Sequence, residues 1–256
     1  MAHKTLIDGT AYEIKGGRDL IGGTSYSKKN GKVLIDGTAY DIPLSKGIPL
    51  KTITPGTILM LNESGSPVPF YIAEHDYESG LNGAGRTLVV RKDCYDMRVF
   101  SSSNNAYANS ALDSWLCGIY LKLLDADIQS AIGTTKFYYT PGNGNATVTT
   151  LQRAVFQLSL AELGKSAHYA NTEGAALPIA DTLQIAHYNG SACVQWTRTP
   201  VVRSVADNLS AVVLLDTSGN VGNNYYNSSR GSRPVFTLPG TLALAQNADG
   251  TYSIAA

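Results

Sequence analysis

Charge is scarce in this chain, and neither sign predominates. Only 16% of its 256 residues are Asp, Glu, Lys or Arg, and 20 basic residues balance 20 acidic ones. A general nucleic-acid binder needs a basic surface to neutralise phosphates, so the composition argues against that class. Apolar residues make up 43% of the chain, which suits a packed core beneath a polar, largely uncharged surface.

Long apolar runs and sets of metal ligands are missing as well. No stretch of 18 consecutive apolar residues occurs, and the first residues lack an apolar signal core, so we expect no membrane insertion and no signal peptide. Cys94, Cys117 and Cys193 are odd in number and scattered, which argues against a disulfide framework and a four-thiolate zinc site. The four histidines form no paired metal spacing. We therefore expect buried free thiols, no metal and no cofactor in a protein made in the cytoplasm.

Recognisable catalytic motifs are also absent. The chain has no nucleophile elbow, no P-loop and no strand-bounded dinucleotide fingerprint. The glycine-rich residues 80–85 precede a strand pattern rather than a helix, which favours a hairpin connection over a phosphate-binding loop. His75 lies between two acidic residues, and it is either a base with a tuned pKa or, the favoured interpretation, a solvated strand end. The sequence therefore predicts no enzymatic activity.

An N-terminal repeat is the first positive feature. Residues 4–12, 18–26 and 32–40 align without gaps, and each copy has Leu-Ile, then Asp-Gly or Gly-Gly, then a closing Tyr. These dipeptides are typical of tight turns, so each copy predicts a small β-hairpin. Such a unit buries too little apolar surface to be stable alone. We expect residues 1–45 to be an assembly or attachment module that packs on another chain; a β appendage on its own domain is the alternative.

Residues 51–256 combine one clear helix with many short strands. Apolar side chains from Leu112 to Leu123 recur at helical spacing, and Ser110 precedes Asp113 by the three residues of an N-cap arrangement. A second short helix is predicted at 158–163, and residues 125–132 either continue the first helix or form a short one. This combination predicts an α+β fold. Strand patterns occupy residues 57–61, 68–73, 86–91, 192–198, 211–215, 234–238 and 242–245.

Tyrosine and asparagine concentrate in one late segment. The chain has 15 Tyr against 5 Phe, and residues 220–229 include four Asn, two Tyr and two Ser. Tyr gives a large contact area for few rotatable bonds, and Asn and Ser supply adaptable hydrogen bonds. The segment therefore predicts an exposed recognition loop between strands, with an ordinary exposed loop as the alternative.

Four segments, residues 105–116, 155–164, 196–200 and 231–238, together resemble a family of phage and prophage proteins from gut Firmicutes. That family has a C-type-lectin-like domain related to the fold of the formylglycine-generating enzyme, and some members are variable proteins of diversity-generating retroelements. The 14-residue repeats resemble N-terminal segments of phage virion proteins. The resemblance covers about residues 51–245 and implies a C-type-lectin-like ligand-binding domain over 51–256, preceded by the hairpin repeats.

The resemblance also implies which residues are structural and which face a ligand. Residues 196–200 match the family's Trp-x-Arg-x-Pro strand, and residues 231–234 match its closing Gly-x-Arg-Pro; both are structural. Variable, ligand-facing positions lie between them, and diversification at template adenines favours Asn. The implied ligand-binding residues are Arg203, Asn208, Asn220, Asn223, Asn224, Tyr225, Tyr226 and Asn227.

Two family features have no counterpart in this sequence. They are the calcium-binding triplet of sugar-binding lectins and the paired catalytic cysteines of the formylglycine-generating enzyme, so calcium-dependent sugar binding and catalysis are not expected. The resemblance implies a non-enzymatic receptor-binding or tail-fibre-tip protein located in the virion. It would contact a host cell-surface protein or glycan, join other virion proteins through residues 1–45 and form a homo-oligomer, with a trimer favoured. A capsid decoration or baseplate protein is the alternative, and an enzyme of the formylglycine type is the third interpretation.

Overall fold

Each N-terminal repeat contains one antiparallel pair of four-residue strands. In every pair an Ile that ends the first strand is the register partner of a Thr that begins the second, with two residues between them. The strands are β1 (Lys4–Ile7), β2 (Thr10–Glu13), β3 (Arg18–Ile21), β4 (Thr24–Ser27), β5 (Lys32–Ile35) and β6 (Thr38–Asp41).

The computed structural model describes residues 47–203 and 210–255, together with the six strands just named. The chain divides into two compact units, Met1–Lys46 and Gly47–Ala256. Across the described residues, none of the helices is both long enough and apolar enough to span a bilayer.

The second unit is a sheet-rich α+β fold with few and short helices. Its helices are α1 (Ser79–Asn82), α2 (Ala111–Gly118), α3 (Ala126–Ala131) and α4 (Ala180–Leu183), with 3₁₀ turns at Leu50–Thr52 and Tyr120–Leu123. Its strands are β7 (Ile48–Pro49), β8 (Ile58–Glu63), β9 (Ser66–His75), β10 (Arg86–Arg91), β11 (Asp96–Val99), β12 (Thr135–Tyr139), β13 (Thr149–Arg153), β14 (Val155–Phe156), β15 (Ala186–Tyr188), β16 (Ser191–Cys193), β17 (Gln195–Pro200), β18 (Ala211–Leu215), β19 (Val221–Tyr225), β20 (Ser229–Ser232), β21 (Val235–Pro239), β22 (Ala243–Gln246) and β23 (Tyr252–Ile254).

The larger sheet has eight strands in the order β14-β21-β10-β9-β8-β23-β22-β7. Its pairs are antiparallel apart from β8 with β23. Residues 87–90 of β10 are all buried, as expected for a continuous Thr-Leu-Val-Val run covered on both faces. The rings of Phe70 and Phe236 pack within this sheet's core, with centroids 5.4 Å apart.

The smaller sheet has five strands in the order β11-β20-β17-β18-β19. Every residue of β17 and β18 is buried, and both strands lie in the interior of the sheet. β19 and β11 lie at its two edges. The segment that was predicted to be a recognition loop therefore begins on an edge strand beside a fully buried neighbour.

The predicted amphipathic helix is confirmed over its first two turns. Ser110 Oγ accepts a hydrogen bond from Asp113 N at 3.0 Å, which is the expected N-cap. The helix ends at Gly118 and a 3₁₀ turn follows, so Ile119 is 58% exposed rather than part of the apolar face. α3 is a separate short helix, which settles the second alternative for residues 125–132.

The short helix predicted at 158–163 is wrong, because this segment forms turns. Its backbone groups bond to β17 instead: Arg198 N donates to Leu158 O at 2.8 Å, and Leu160 N donates to Thr199 Oγ1 at 3.0 Å. Gly164 ends the turn with φ +70°. The predicted strand 192–198 is also divided, since β16 and β17 are separated at Val194.

Candidate functional site

The Tyr/Asn-rich segment is a strand and a turn, so its prediction as a loop is wrong. β19 pairs with β18 over five residues, from Val221 opposite Leu215 to Tyr225 opposite Ala211. The hairpin turn before it is fixed by Asp216, whose Oδ1 accepts from the backbone N–H groups of Ser218 at 2.8 Å and Asn220 at 2.9 Å. These bonds lower the pKa of Asp216, with the Asn220 N–H making the larger contribution.

Exposure alternates along the segment. Asn223, Tyr225, Asn227 and Ser229 are exposed, whereas the residues between them are half-buried. Tyr225 is the most prominent member, with 56% of its surface exposed. We call these four residues the polar row; they present amide, phenol and hydroxyl groups without a formal charge.

Hydrogen bonds hold the backbone beneath the polar row. Asn224 Oδ1 accepts from Tyr225 N at 2.8 Å and from Ser228 Oγ at 2.9 Å, and Ser228 N donates to Tyr225 O at 3.0 Å. Tyr226 N donates to Ser210 O at 3.1 Å, and Tyr226 O accepts from Ser101 N at 3.0 Å. A ligand that contacts the polar row therefore has little backbone motion to freeze.

Two exposed apolar side chains on β11, the edge strand opposite to β19, lie next to Ser229 at the end of the polar row, and sequence reasoning missed them. Val99 is the register partner of Ser229, and Met97 is the register partner of Gly231. Met97 is 38% exposed and Val99 is 40% exposed. The signal for them is the alternation in Asp-Met-Arg-Val, whose polar members turn to the other face, where Arg98 stacks on Trp115 at 3.7 Å.

The predicted site residues divide between display and support. Asn223, Tyr225 and Asn227 are exposed in one row, as a ligand surface requires. Asn224 and Tyr226 are half-buried, and their hydrogen bonds hold that row in place. Asn220 is exposed but lies at the other end of β19, where its Nδ2 bonds to Asp216 Oδ2 at 3.3 Å.

Arg203 is exposed, yet its guanidinium is already engaged. It donates to His168 O at 3.3 Å, to Ala170 O at 3.0 Å and to Asn171 Oδ1 at 2.9 Å. Its observed role is to fasten the loop at 168–171, and the structure does not place it in the polar row. Asn208 lies outside the described residues.

The strand predicted to be structural carries a buried ion pair. Arg198 on β17 is fully buried, and its Nη1 and Nη2 lie 2.6 and 2.9 Å from the two carboxylate oxygens of Glu162. It also donates to Tyr138 O and Gln157 O. Burial opposes its charge, but the carboxylates of Glu162 and Glu173 raise the pKa of Arg198 above its usual range. The resemblance-based structural role agrees with this geometry.

Acidic groups outnumber the cation in this network. Buried Glu173 accepts from Thr140 N at 2.7 Å and Thr199 Oγ1 at 2.8 Å, and burial raises its pKa. Half-buried Glu74 faces the same network, and burial, followed by the charges of Glu162 and Glu78, raises its pKa to about 7. No local signal predicts this cluster, because its members come from distant parts of the chain.

Arg233, which directly follows β20, is a second buried structural arginine. Its buried guanidinium donates to Arg91 O at 2.8 Å, Leu183 O at 2.8 Å and Lys92 O at 2.6 Å. Three backbone carbonyls therefore accept hydrogen bonds from one guanidinium, as expected for a buried cation, which needs hydrogen-bond partners.

Three other features bear on possible sites: His75, groups of metal-ligating side chains, and a small groove. His75 is not a solvated strand end: its Nδ1 lies 2.9 Å from Thr87 Oγ1 and its Nε2 lies 2.7 Å from Ile53 O. Within residues 47–203 and 210–255, no group of three or more His, Cys, Asp and Glu is placed to hold a metal ion. A groove of about 150 Å³ between β8 and α3, bordered by Leu61 and Asp125, is smaller than typical ligand pockets of roughly 300–1,000 Å³.

The fold and the site thus define a sheet-rich α+β domain with uncharged, hydrogen-bonding side chains along β19 and along the turn that leads from it to β20. Residues 84–240, more than half of the chain, match the family described as a domain of unknown function, DUF6273. The chain belongs to this family. No curated protein and no solved structure matches it.

Proposed function

We propose that this protein is a non-enzymatic phage virion protein that contacts the host cell through the polar row, at a receptor-binding tail tip. In this proposal the second unit is a C-type-lectin-like domain. The observation that carries the proposal is the exposed alternation of Asn223, Tyr225, Asn227 and Ser229 on a backbone held by hydrogen bonds.

The chemistry of the polar row suits a neutral, hydrogen-bonding ligand. Tyr225 supplies a broad aromatic face with a phenolic hydroxyl, which can stack on a sugar ring or fit a protein pocket. Asn side chains both donate and accept hydrogen bonds, as sugar hydroxyls and peptide groups require. Met97 and Val99 add apolar area beside Ser229. A host cell-surface protein or glycan is the partner class that this combination supports.

In this proposal the N-terminal repeats attach the protein to other virion proteins or to sister chains. Their hairpins are pairs of four-residue strands, which bury too little surface for independent stability. Packing against other virion proteins or against sister chains would supply the missing apolar contacts, and a trimer would present three polar rows together. Multivalent display of this kind strengthens attachment without a new contact at each site.

Tyr225→Ala in the full chain tests the proposal. We expect fluorescently labelled wild-type protein to bind cells of gut Firmicutes saturably, and Tyr225→Ala to weaken that binding roughly 30-fold or more, as at an aromatic hot spot. Ile119→Ala is the matched control, because Ile119 is 58% exposed and lies outside the polar row. It should bind like the wild type.

Two results would count against the proposal. Equal binding by the wild type and Tyr225→Ala would remove the polar row from the contact. If the wild-type protein bound none of the Firmicutes cells tested but still assembled onto virions, the result would favour the alternative, a capsid decoration or baseplate protein.

A further inference from the structure

Two of the three cysteines, distant in sequence, lie side by side. Cys94 Sγ and Cys193 Sγ are 3.5 Å apart, although the residues are separated by 99 positions. Both are free thiols, and both are buried. With Ala186, and with Tyr188 packed against them, they form a small cluster separate from the main core. The scattered spacing of the cysteines gave no signal for this pair.

The surrounding backbone holds the two sulfur atoms in this arrangement. Cys94 N donates to His187 O at 2.8 Å, which ties the segment before β11 to the β15–β16 hairpin. Cys193 ends β16 in the same hairpin and is the register partner of Ala186. The two thiols therefore belong to segments that are already hydrogen-bonded to each other.

Gly231 provides the space for both sulfur atoms. A Cβ atom at position 231 would lie 2.5 Å from Cys94 Sγ and 3.1 Å from Cys193 Sγ, closer than ordinary contact. The glycine of the closing Gly-x-Arg-Pro segment is thus required by the thiol pair and also by the backbone, because the same Cβ atom would lie 3.0 Å from Val194 O.

We propose that Cys94 and Cys193 form an intramolecular disulfide when the protein meets an oxidising, disulfide-containing solution. A disulfide needs sulfur atoms about 2.05 Å apart, so the pair must close by roughly 1.5 Å through side-chain rotation. The bond would link the segment before β11 to the β15–β16 hairpin, beside Gly231 of β20. This inference does not depend on the proposed function.

The reaction is a thiol–disulfide exchange with a small-molecule disulfide as the oxidant. The thiolate of Cys193, which is 9% exposed, attacks one sulfur of the oxidant; its S–S bond breaks and one thiolate leaves. The Cys94 thiolate then attacks Cys193 Sγ and expels the second thiolate. The two cysteine protons pass through solvent to the two released thiolates. The hydrogen bond from Cys94 lowers the pKa of Cys193, which favours Cys193 as the first nucleophile.

The test uses the full chain, oxidised glutathione and thiol counting under denaturing conditions. We expect three free thiols per chain to fall to one, and a non-reduced peptide map to show Cys94 joined to Cys193. Cys117→Ser, the matched control, should fall from two thiols to none. Cys94→Ser should stop at a mixed disulfide on Cys193. Because the bond closes a loop of about 100 residues, the melting temperature should rise by about 10 °C.

Three outcomes would overturn the proposal. The first is that three thiols persist in the folded wild type after oxidation. The second is that the wild type stops at the mixed disulfide, as Cys94→Ser is expected to do. The third is that oxidation joins separate chains, seen as a band of doubled mass on a non-reducing gel.

Discussion

Arg198→Met tests how much the buried ion pair between Arg198 and Glu162 stabilises the domain. The side chain lies in the centre of the five-stranded sheet and is fully buried between Glu162 and Glu173. Methionine matches much of its length but brings neither charge nor hydrogen-bond donors. The substitution would leave two buried carboxylates without their cation, together with the carbonyls of Tyr138 and Gln157.

The expected loss is large for one side chain. Removing one partner of a buried ion pair costs about 3–5 kcal/mol, against a total stability of about 5–15 kcal/mol for a domain. The loss should depend on pH with a defined sign. Burial already raises the pKa of Glu173 and the charge of Arg198 opposes that rise, so without Arg198 the folded pKa of Glu173 should exceed its unfolded value by more. The deficit is then largest near pH 8 and shrinks as the pH falls towards 4.5.

Urea unfolding followed by circular dichroism measures this difference. Arg230→Met is the control: Arg230 is partly exposed on β20, and its change should stay within about 0.5 kcal/mol of the wild type. Adding Glu162→Gln to Arg198→Met should recover part of the loss, because it removes one uncompensated charge. A deficit below about 1 kcal/mol, or one independent of pH, would refute the ion-pair account.

Two further substitutions test the electrostatics and the helix signal. Glu74→Gln should be more stable than the wild type at pH 8 by about 1–2 kcal/mol after solvent screening, and this gain should disappear below pH 5. The Glu74 carboxyl has a folded pKa of about 7 against 4.5 unfolded, so its ionisation costs stability as the pH rises. Equal melting curves for the two proteins at pH 8 would contradict this. Ser110→Ala should cost about 1 kcal/mol of stability by removing the acceptor for Asp113 N, whereas Ser110→Thr, which keeps that acceptor, should cost less. Thermal melts measure the difference, and equal melting temperatures for the two variants would show that the N-cap hydrogen bond does not stabilise the helix.

Local signals in the sequence predict the parts of the fold that local chemistry determines. The cap at Ser110 and the strand 86–91 lie where the residues indicate, because hydrogen bonding within one turn and a continuous apolar run act over short distances. The 158–163 segment shows the limit. Ser159 and Glu162 exchange the hydrogen bonds of a capping box, yet no helix follows, because neighbouring backbone groups bond to β17.

The candidate site was only partly accessible to sequence reasoning. The composition of 220–229 indicated exposed side chains but not a strand, because pairing with the apolar run of β18 across the hairpin overrides the poor strand preference of Asn and Gly. Which residues point outward follows from that pairing. Met97 and Val99, more than 120 positions from Tyr225, could not be placed beside Ser229 from sequence, because the pairing of β11 with β20 is a non-local contact.

The central claim is that the polar row is the contact surface, and hydroxyl-radical footprinting of the full chain tests it most directly. Tyr225 is 56% exposed and Ile119 is 58% exposed, so both side chains should be oxidised readily in the unbound protein. The probe is a cell-envelope fraction from bacteria to which the wild-type chain binds. The account predicts strong protection of Tyr225, with Ile119 labelled as before. Unchanged labelling of Tyr225 in the bound protein would contradict it.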